Sequence, residues 1–144
     1  MIQPVQSFQW EGHPLVVGAK SGLRSLGFRE IGPFVPGIAD MPEFLAAYYP
    51  AAHCYGMILR PAIESGQEVV ALELCCQLDA SKGGSVTSSE TEQTWHRPPR
   101  GIQLRLPQAP LGLLFRTLLD KVSGLDREAA TADLFQEDFL RYRA

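Results

Sequence analysis

The adjacent residues His53 and Cys54 are of types that perform chemistry together, because a cysteine nucleophile needs a base within hydrogen-bonding distance. Their adjacency in the chain argues against such a pair. Neighbouring side chains point to opposite sides of a strand and diverge by about 100° around a helix, so the imidazole does not easily reach the thiol. We interpret Cys54 as a small buried residue and His53 as a partly buried residue where a strand begins.

Cys75 and Cys76 form a second pair that invites a metal-binding or redox interpretation. Both lie in a segment that alternates like a strand, which sends one sulfur to each side, so the two thiols cannot bind one ion. No pair of residues with C-x₂-C or H-x₃-H spacing accompanies them. The sequence therefore predicts neither a metal site nor a cofactor.

Glu73 shares one side of the same predicted strand with Cys75. A carboxylate on the second face of a central strand can carry function if that face lines a pocket instead of facing solvent. His53, Cys54 and Glu73 are therefore the candidate pocket residues of an enzyme or a ligand-binding domain.

The glycine-rich stretch from Gly18 to Gly22 contains a Lys-Ser pair and follows a predicted strand. A phosphate-binding P-loop requires that pair after the second of two glycines, with four residues between the glycines, and this spacing is not met. Lys20, Arg24 and Arg29 offer positive charge for a modest anion-binding patch. The pattern nevertheless favours a solvated loop.

The segment that ends at Arg100 supplies the candidate protein-contact surface, which consists of Trp95, His96, Arg97 and Arg100. Tryptophan and arginine are enriched at binding hot spots, and the two intervening prolines lower the entropy lost on ordering. The alternative is that Trp95 packs into the core while the arginines are solvated. Both interpretations stay open.

The composition is that of a water-soluble globular protein. The chain has 144 residues, of which 45% are hydrophobic and 20% charged, and its formal net charge is −3. This length suits one domain with one ordinary core, so we predict a single domain over residues 1–144. Because the net charge is negative, the chain has no general electrostatic attraction for the phosphate backbone of a nucleic acid. No apolar run approaches the ~20 residues that cross a bilayer. We expect another protein as partner, and neither nucleic acid nor a membrane.

The cysteines and the amino terminus favour a reducing compartment. The chain has three cysteines, an odd number, without the spacing of a disulfide framework. The first residues carry no basic group and no apolar run of signal-peptide length. We therefore expect reduced thiols and a cytoplasmic location.

Alternating apolar residues and turn-forming residues predict the strands. These are a first hairpin of Val5 to Trp10 and Leu15 to Ala19, a short strand at Phe28 to Ile31 within a winding segment, a second hairpin of Tyr55 to Arg60 and Glu68 to Leu78, and a strand from Ile102 to Leu106. Residues 79–100 are predicted to form a long polar loop, with a further short strand at Thr91 to Trp95.

Helical spacing and capping residues predict three helices. Asp40 and Glu43 fit a capping box for a short helix that Pro50 ends. A second helix begins near Pro110 and ends near Gly124. The last helix carries Phe135 and Phe139, and it begins either after Asp126 or later, after a break near Thr131.

Together these elements predict an α+β fold. It comprises one antiparallel sheet of four to six strands, a short helix after the first hairpin, and two consecutive carboxyl-terminal helices. Strands and helices are segregated along the chain, which argues against a doubly wound parallel sheet.

Two classes of function remain. The first is a non-catalytic protein-binding domain, such as an adaptor, an effector-binding chaperone, an inhibitor or a small subunit of a larger assembly. The sequence also leaves open that this domain forms homo-oligomers. The second is a small-molecule enzyme or ligand-binding domain with a pocket between sheet and helices. We favour the first, because no catalytic constellation is visible in the residue spacing.

Overall fold

The computed structural model describes residues 2–37, 41–79, 82–88, 102–107 and 109–143. Its strands are β1 (Ile2–Pro4), β2 (Arg29–Pro36), β3 (Phe44–Tyr49), β4 (Cys54–Leu59), β5 (Ala62–Glu64), β6 (Gln67–Val69), β7 (Leu72–Asp79), β8 (Lys82–Thr87) and β9 (Ile102–Arg105). Its helices are α1 (Pro14–Leu26), α2 (Leu111–Lys121) and α3 (Phe135–Arg143), and short 3₁₀ helices cover Gln9–Gly12 and Pro50–Ala52.

Seven of the strands form one mixed sheet in the order β1-β2-β3-β4-β7-β8-β9. Neighbouring strands are antiparallel except β8 and β9, which are parallel. β5 and β6 form a separate two-stranded hairpin between β4 and β7, and Ser65 and Gly66 at its turn have φ angles of 52° and 77°. The α+β class is therefore as predicted, but a single antiparallel sheet of four to six strands is wrong.

The length of chain between β8 and β9 permits their parallel pairing. Parallel neighbours need a crossover of a dozen or more residues, and the chain between Thr87 and Ile102 is long enough. Part of the predicted polar loop at 79–100 is itself strand β8, where Ser85, Val86 and Thr87 are buried. The sequence pattern does not predict this strand, because its residues are mostly small or polar and lack the usual apolar alternation.

The sheet is covered on both sides. On the first face, α1 and α2 bury Val16, Leu23, Leu114 and Leu118 against apolar residues of the central strands. These strand residues are Leu45, Ala47, Cys54, Ile58, Leu74, Cys76 and Val86. On the second face, Phe135 and Phe139 of α3 form a further cluster. Its strand members are Ile2, Phe34, Phe44, Ala46, Tyr55, Met57, Leu59 and Cys75.

The predicted first hairpin is wrong, because its second strand is the first half of helix α1. The Nδ1 atom of His13 accepts a hydrogen bond from the backbone N–H of Leu15 at 3.1 Å, and Pro14 opens the helix. Gly27, at φ 107°, ends it in the left-handed conformation that glycine adopts at least cost. The helix buries Val16 and Leu23 on one stripe.

The predicted helix after Asp40 is also wrong. Asp40 lies outside the described residues, and the segment that follows is strand β3. Its residues face alternate clusters, Leu45 and Ala47 on the first face and Phe44 and Ala46 on the second. A continuous apolar run of this kind is typical of a strand buried on both sides.

The carboxyl-terminal predictions are confirmed. Helix α2 begins directly after Pro110, and its residues Leu114 and Leu118 are fully buried. Helix α3 begins at Phe135, the later of the two predicted starts, and the N–H of Leu134 donates to Oγ1 of Thr131 at 3.2 Å.

Candidate functional site

Cys54 lies at the start of β4 in the cluster on the first face, with none of its surface exposed. Its Sγ donates to the carbonyl oxygen of Ala52 at 3.2 Å. Burial, with a smaller contribution from Cys76, raises the pKa of the Cys54 thiol to about 12. The thiol is therefore protonated at neutral pH, and a protonated thiol is a poor nucleophile.

His53 precedes this strand in the left-handed conformation, with φ of 54°. Its Nδ1 atom is buried and has no hydrogen-bond partner within the described part of the chain. Glu73, by contrast, lies in β7 opposite Met57 of β4, which belongs to the cluster on the second face. Since Cys54 faces the first side of the sheet and Glu73 the second, the structure does not bring the three candidate pocket residues into one site.

Cys75 and Cys76 also face opposite sides of the sheet, as their alternation predicts. Burial raises the pKa of the Cys76 thiol. Among the residues the structure describes, no group of three or more histidine, cysteine or acidic side chains is placed to hold a metal ion.

The second face carries a row of buried polar residues, namely Glu73, Gln77, Ser85, Thr87 and Asp138. The hydroxyl of Tyr55 donates to Oδ2 of Asp138 at 2.6 Å. Burial, the hydrogen bond to Asp138 and the charge of Asp138 together raise the pKa of Tyr55. A cavity of only about 20 Å³ adjoins them, which suffices for one water molecule. We interpret the hydrogen bond between Tyr55 and Asp138 as a contact that fixes α3 on the sheet.

A larger cavity of about 370 Å³ opens between α1 and strands β2 to β4, and we call it the α1 groove. Its floor is apolar and consists of Leu23, Phe28, Leu45, Ala47 and Ile58, all of them buried. The ring of Phe28 stacks on Tyr49 at 5.3 Å and meets Phe115 edge-on at 5.6 Å between centroids. These contacts fix the aromatic part of the floor.

A bulge in β2 shapes the open side of the α1 groove. Glu30 pairs with Ala47 and Gly32 with Ala46, so Ile31 is an extra residue in this strand. Gly32 has a φ of 146°, and a Cβ atom placed on it would meet no atom within 4 Å. Bulges bend a strand locally and are common beside binding sites.

Charged residues surround the mouth of the α1 groove, and they are Glu11, Lys20, Arg24, Arg29 and Glu30. The Nζ atom of Lys20 lies 3.1 Å from Oε1 of Glu30 and 3.8 Å from Oε1 of Glu11. The Nη2 atom of Arg24 lies 3.9 Å from the same Glu30 oxygen. Arg29 is exposed and forms no ion pair with any described residue. Three cations therefore face two carboxylates at this mouth.

The α1 groove was only partly visible in the sequence. Lys20, Arg24 and Arg29 are the cations that the sequence offers for an anion-binding patch, and the structure places the first two on α1 and the third at the start of β2. The sequence does not indicate the apolar floor, because it joins residues of α1, of β3 and β4, and of the turn before β2, which are distant in the chain. No local spacing signals such a set.

The predicted protein-contact surface of Trp95, His96, Arg97 and Arg100 lies outside the described residues and stays a prediction. In the part of the chain that the structure describes, no helix has the length and apolar character needed to span a membrane.

Comparisons with known protein families, with curated protein sequences and with solved structures find no match for this chain.

Proposed function

We propose that this chain is a non-catalytic domain that binds another protein, and that the α1 groove receives one segment of that partner. The observation that carries the proposal is the combination of a buried apolar floor with a mouth of three cations, among them Arg29. Interfaces commonly place apolar anchors at their centre and charged groups at the rim.

The state of the buried reactive groups favours binding over catalysis. Burial raises the pKa of both Cys54 and Cys76, so neither thiol is a thiolate at neutral pH. Cysteine nucleophiles in enzymes have depressed pKa values and partial exposure instead. The groups with raised pKa values therefore resemble core residues more than a reactive centre.

The surroundings of the α1 groove favour a partner larger than the cavity. Val17, Lys20 and Arg24 are spaced i, i+3 and i+7 on α1, so they lie along one stripe of the helix. Val17 is 53% exposed, and the side chain of Arg24 is 71% exposed. A protein surface seated over the groove would cover this stripe, which a ligand confined to the cavity would leave in solvent.

A small organic ligand in the same groove is the second candidate. The cavity of about 370 Å³ falls within the 300–1,000 Å³ range of small-molecule sites. It also lies between the sheet and a helix, which is where the pocket of the alternative function is expected.

The test uses a partner that has been captured, identified and purified, and compares its Kd for several variants. Ala47→Leu adds bulk to the floor of the groove and should weaken binding about tenfold or more, as the loss of a central contact does. Ala129→Leu makes the same change at an exposed position and serves as the control. Thermal unfolding verifies that both variants are folded.

Two results would contradict the proposal. Binding by folded Ala47→Leu that equals binding by Ala129→Leu would exclude the α1 groove as the site. A double variant with Trp95→Ala and Arg97→Ala addresses the other predicted surface. If this double variant alone abolishes binding, the contact surface is the segment that contains Trp95.

A further inference from the structure

We infer that the segment bound in the α1 groove carries a carboxylate beside a bulky apolar side chain, and that Glu30 occupies the place of this carboxylate in the free protein. The inference rests on the proposed function, since it specifies the ligand of the same groove. It is carried by the arrangement of Lys20, Arg24, Arg29 and Glu30 at the mouth.

The groove already binds one carboxylate from its own chain. Oε1 of Glu30 lies between Lys20 Nζ at 3.1 Å and Arg24 Nη2 at 3.9 Å. The two cations converge on one point from successive turns of α1, as the i and i+4 positions of a helix allow. A carboxylate of a partner placed at this point would meet the same two cations.

Glu30 is the exchangeable carboxylate of the two at the mouth. Its side chain is 61% exposed, and exposed ion pairs contribute little to stability, so a competing carboxylate can displace it. Glu11 is held more firmly, because its Oε2 accepts a hydrogen bond from the N–H of Phe8 at 2.6 Å and its side chain is only 23% exposed. Displacement of Glu30 alone would leave the 3₁₀ helix at Gln9–Gly12 intact.

Arg29 adds a cation that no described carboxylate neutralises. The planar guanidinium group offers paired N–H donors that match the two oxygens of a carboxylate. The mouth of the groove is therefore locally positive in a chain whose formal net charge is −3. This local excess favours an anionic group on the ligand.

The apolar floor specifies the other half of the ligand. Leu23, Phe28 and Ile58 are at most 4% exposed and line the groove below the charged mouth. An aliphatic or aromatic side chain would enter here, because transfer of apolar surface from water to such a floor is favourable. A carboxylate alone would leave this floor empty, so both chemical groups are required.

The experiment uses short synthetic peptides as probes and follows binding to the full chain by NMR titration. The first peptide has a central phenylalanine flanked by glutamates, the second has glutamines in place of the glutamates, and the third has glycine in place of the phenylalanine. Only the first should bind at millimolar concentration or below, and its binding should weaken as salt is added. Binding of the second or third peptide with the same Kd as the first would overturn the inference.

Substitutions in the protein distinguish a competing carboxylate from a structural one. Glu30→Gln removes the competitor and should tighten binding of the first peptide by about twofold to fivefold, which is the range for one exposed ion pair. Glu137→Gln changes the net charge equally at an exposed position of α3 and should leave the Kd unchanged. Arg29→Gln should weaken binding by a similar factor, whereas Arg116→Gln on α2 should not.

The outcomes separate this inference from the proposed function. If Glu30→Gln does not bind the first peptide more tightly than Glu137→Gln does, the inferred displacement of Glu30 is wrong. The proposed function is tested separately, by the effect of Ala47→Leu on the Kd of the purified partner. If 3-phenylpropionate, a small carboxylate with an apolar ring, binds as tightly as the first peptide, the occupant is a small molecule and the peptide assignment fails. Absence of binding by the first peptide also overturns the inference.

Discussion

The hydroxyl of Tyr55 in β4 donates a hydrogen bond of 2.6 Å to Oδ2 of Asp138 in α3, and it also lies 3.3 Å from the backbone N–H of Thr131. Asp138 is 6% exposed. This contact joins the carboxyl-terminal helix to the second face of the sheet through two residues that are 83 positions apart in the sequence.

Tyr55→Phe should lower the free energy of unfolding by about 1.5–3 kcal/mol, because it removes a donor from a buried carboxylate. Urea unfolding followed by circular dichroism measures this change. Tyr48→Phe removes the same atom from a half-buried tyrosine of the neighbouring strand β3 and should cost less than about 0.5 kcal/mol. An equal loss of unfolding free energy in the two variants would show that the hydrogen bond from Tyr55 to Asp138 stabilises the protein no more than the hydroxyl of Tyr48 does.

Two glycines should respond to alanine in opposite directions. A Cβ atom on Gly84 of β8 would lie 2.9 Å from Cγ1 of the fully buried Val122, so Gly84→Ala should destabilise the protein by about 1–3 kcal/mol. A Cβ atom on Gly112 of α2 would meet nothing within 4 Å. Gly112→Ala should therefore stabilise the protein by about 0.5–1 kcal/mol, since alanine is the better helix former.

Thermal and urea unfolding of both variants test this pair. The prediction depends on α2 approaching β8 closely enough to exclude a methyl group. A Gly84→Ala variant as stable as the wild type would place the helix further from the sheet than the structure shows.

Stability should fall at alkaline pH because of Cys54. The thiol has an ordinary pKa of 9.0 and a folded-state pKa of about 12. Below about pH 9 both states hold the proton, so the contribution is constant. Between about pH 9 and pH 12 the unfolded chain loses the proton while the folded protein keeps it, so the free energy of unfolding falls as pH rises.

Urea unfolding under reducing conditions from pH 8 to pH 11 measures this slope. In Cys54→Ala the free energy of unfolding should fall less steeply over the same interval. Part of the fall should remain, because the pKa values of Cys76 and Tyr55 are also raised. An identical slope in the variant and the wild type would show that Cys54 does not titrate as its burial requires.

Periodicity predicted the parts of the fold that have one buried face or clear turn chemistry. The pairing of β4 with β7 and the stripe of α2 are examples, because their apolar residues recur at the spacing of their own element. The alternation in β7 was also correct. What the sequence did not show is that its other side, which carries Glu73 and Cys75, is buried as well.

The failures have physical reasons in tertiary packing. Gly18 and Gly22 suggested a loop, yet both belong to α1, and a Cβ atom on Gly22 would lie 3.1 Å from Leu111 of α2. A glycine at this place permits close contact between the two helices. In β3, residues Phe44, Leu45 and Tyr48 fit helical spacing as well as a strand buried on both faces, and only the neighbouring strands decide between them.

The candidate site was less predictable than the fold. Lys20 and Arg24 are recognisable as cations in the sequence, but their position above an apolar floor depends on the packing of α1 over β3 and β4. The bulge at Ile31 depends in turn on the pairing of β2 with β3. Contacts of this kind join residues far apart in the chain, and a local pattern does not encode them.

The most direct test of the α1 groove is methyl NMR of the protein titrated with its purified partner. Binding in the groove should shift the methyl resonances of Leu23, Leu45 and Ile58 and leave those of Leu134, an exposed leucine before α3, unchanged. Unchanged resonances for all three floor residues in a saturated complex would contradict the claim that the groove receives the partner.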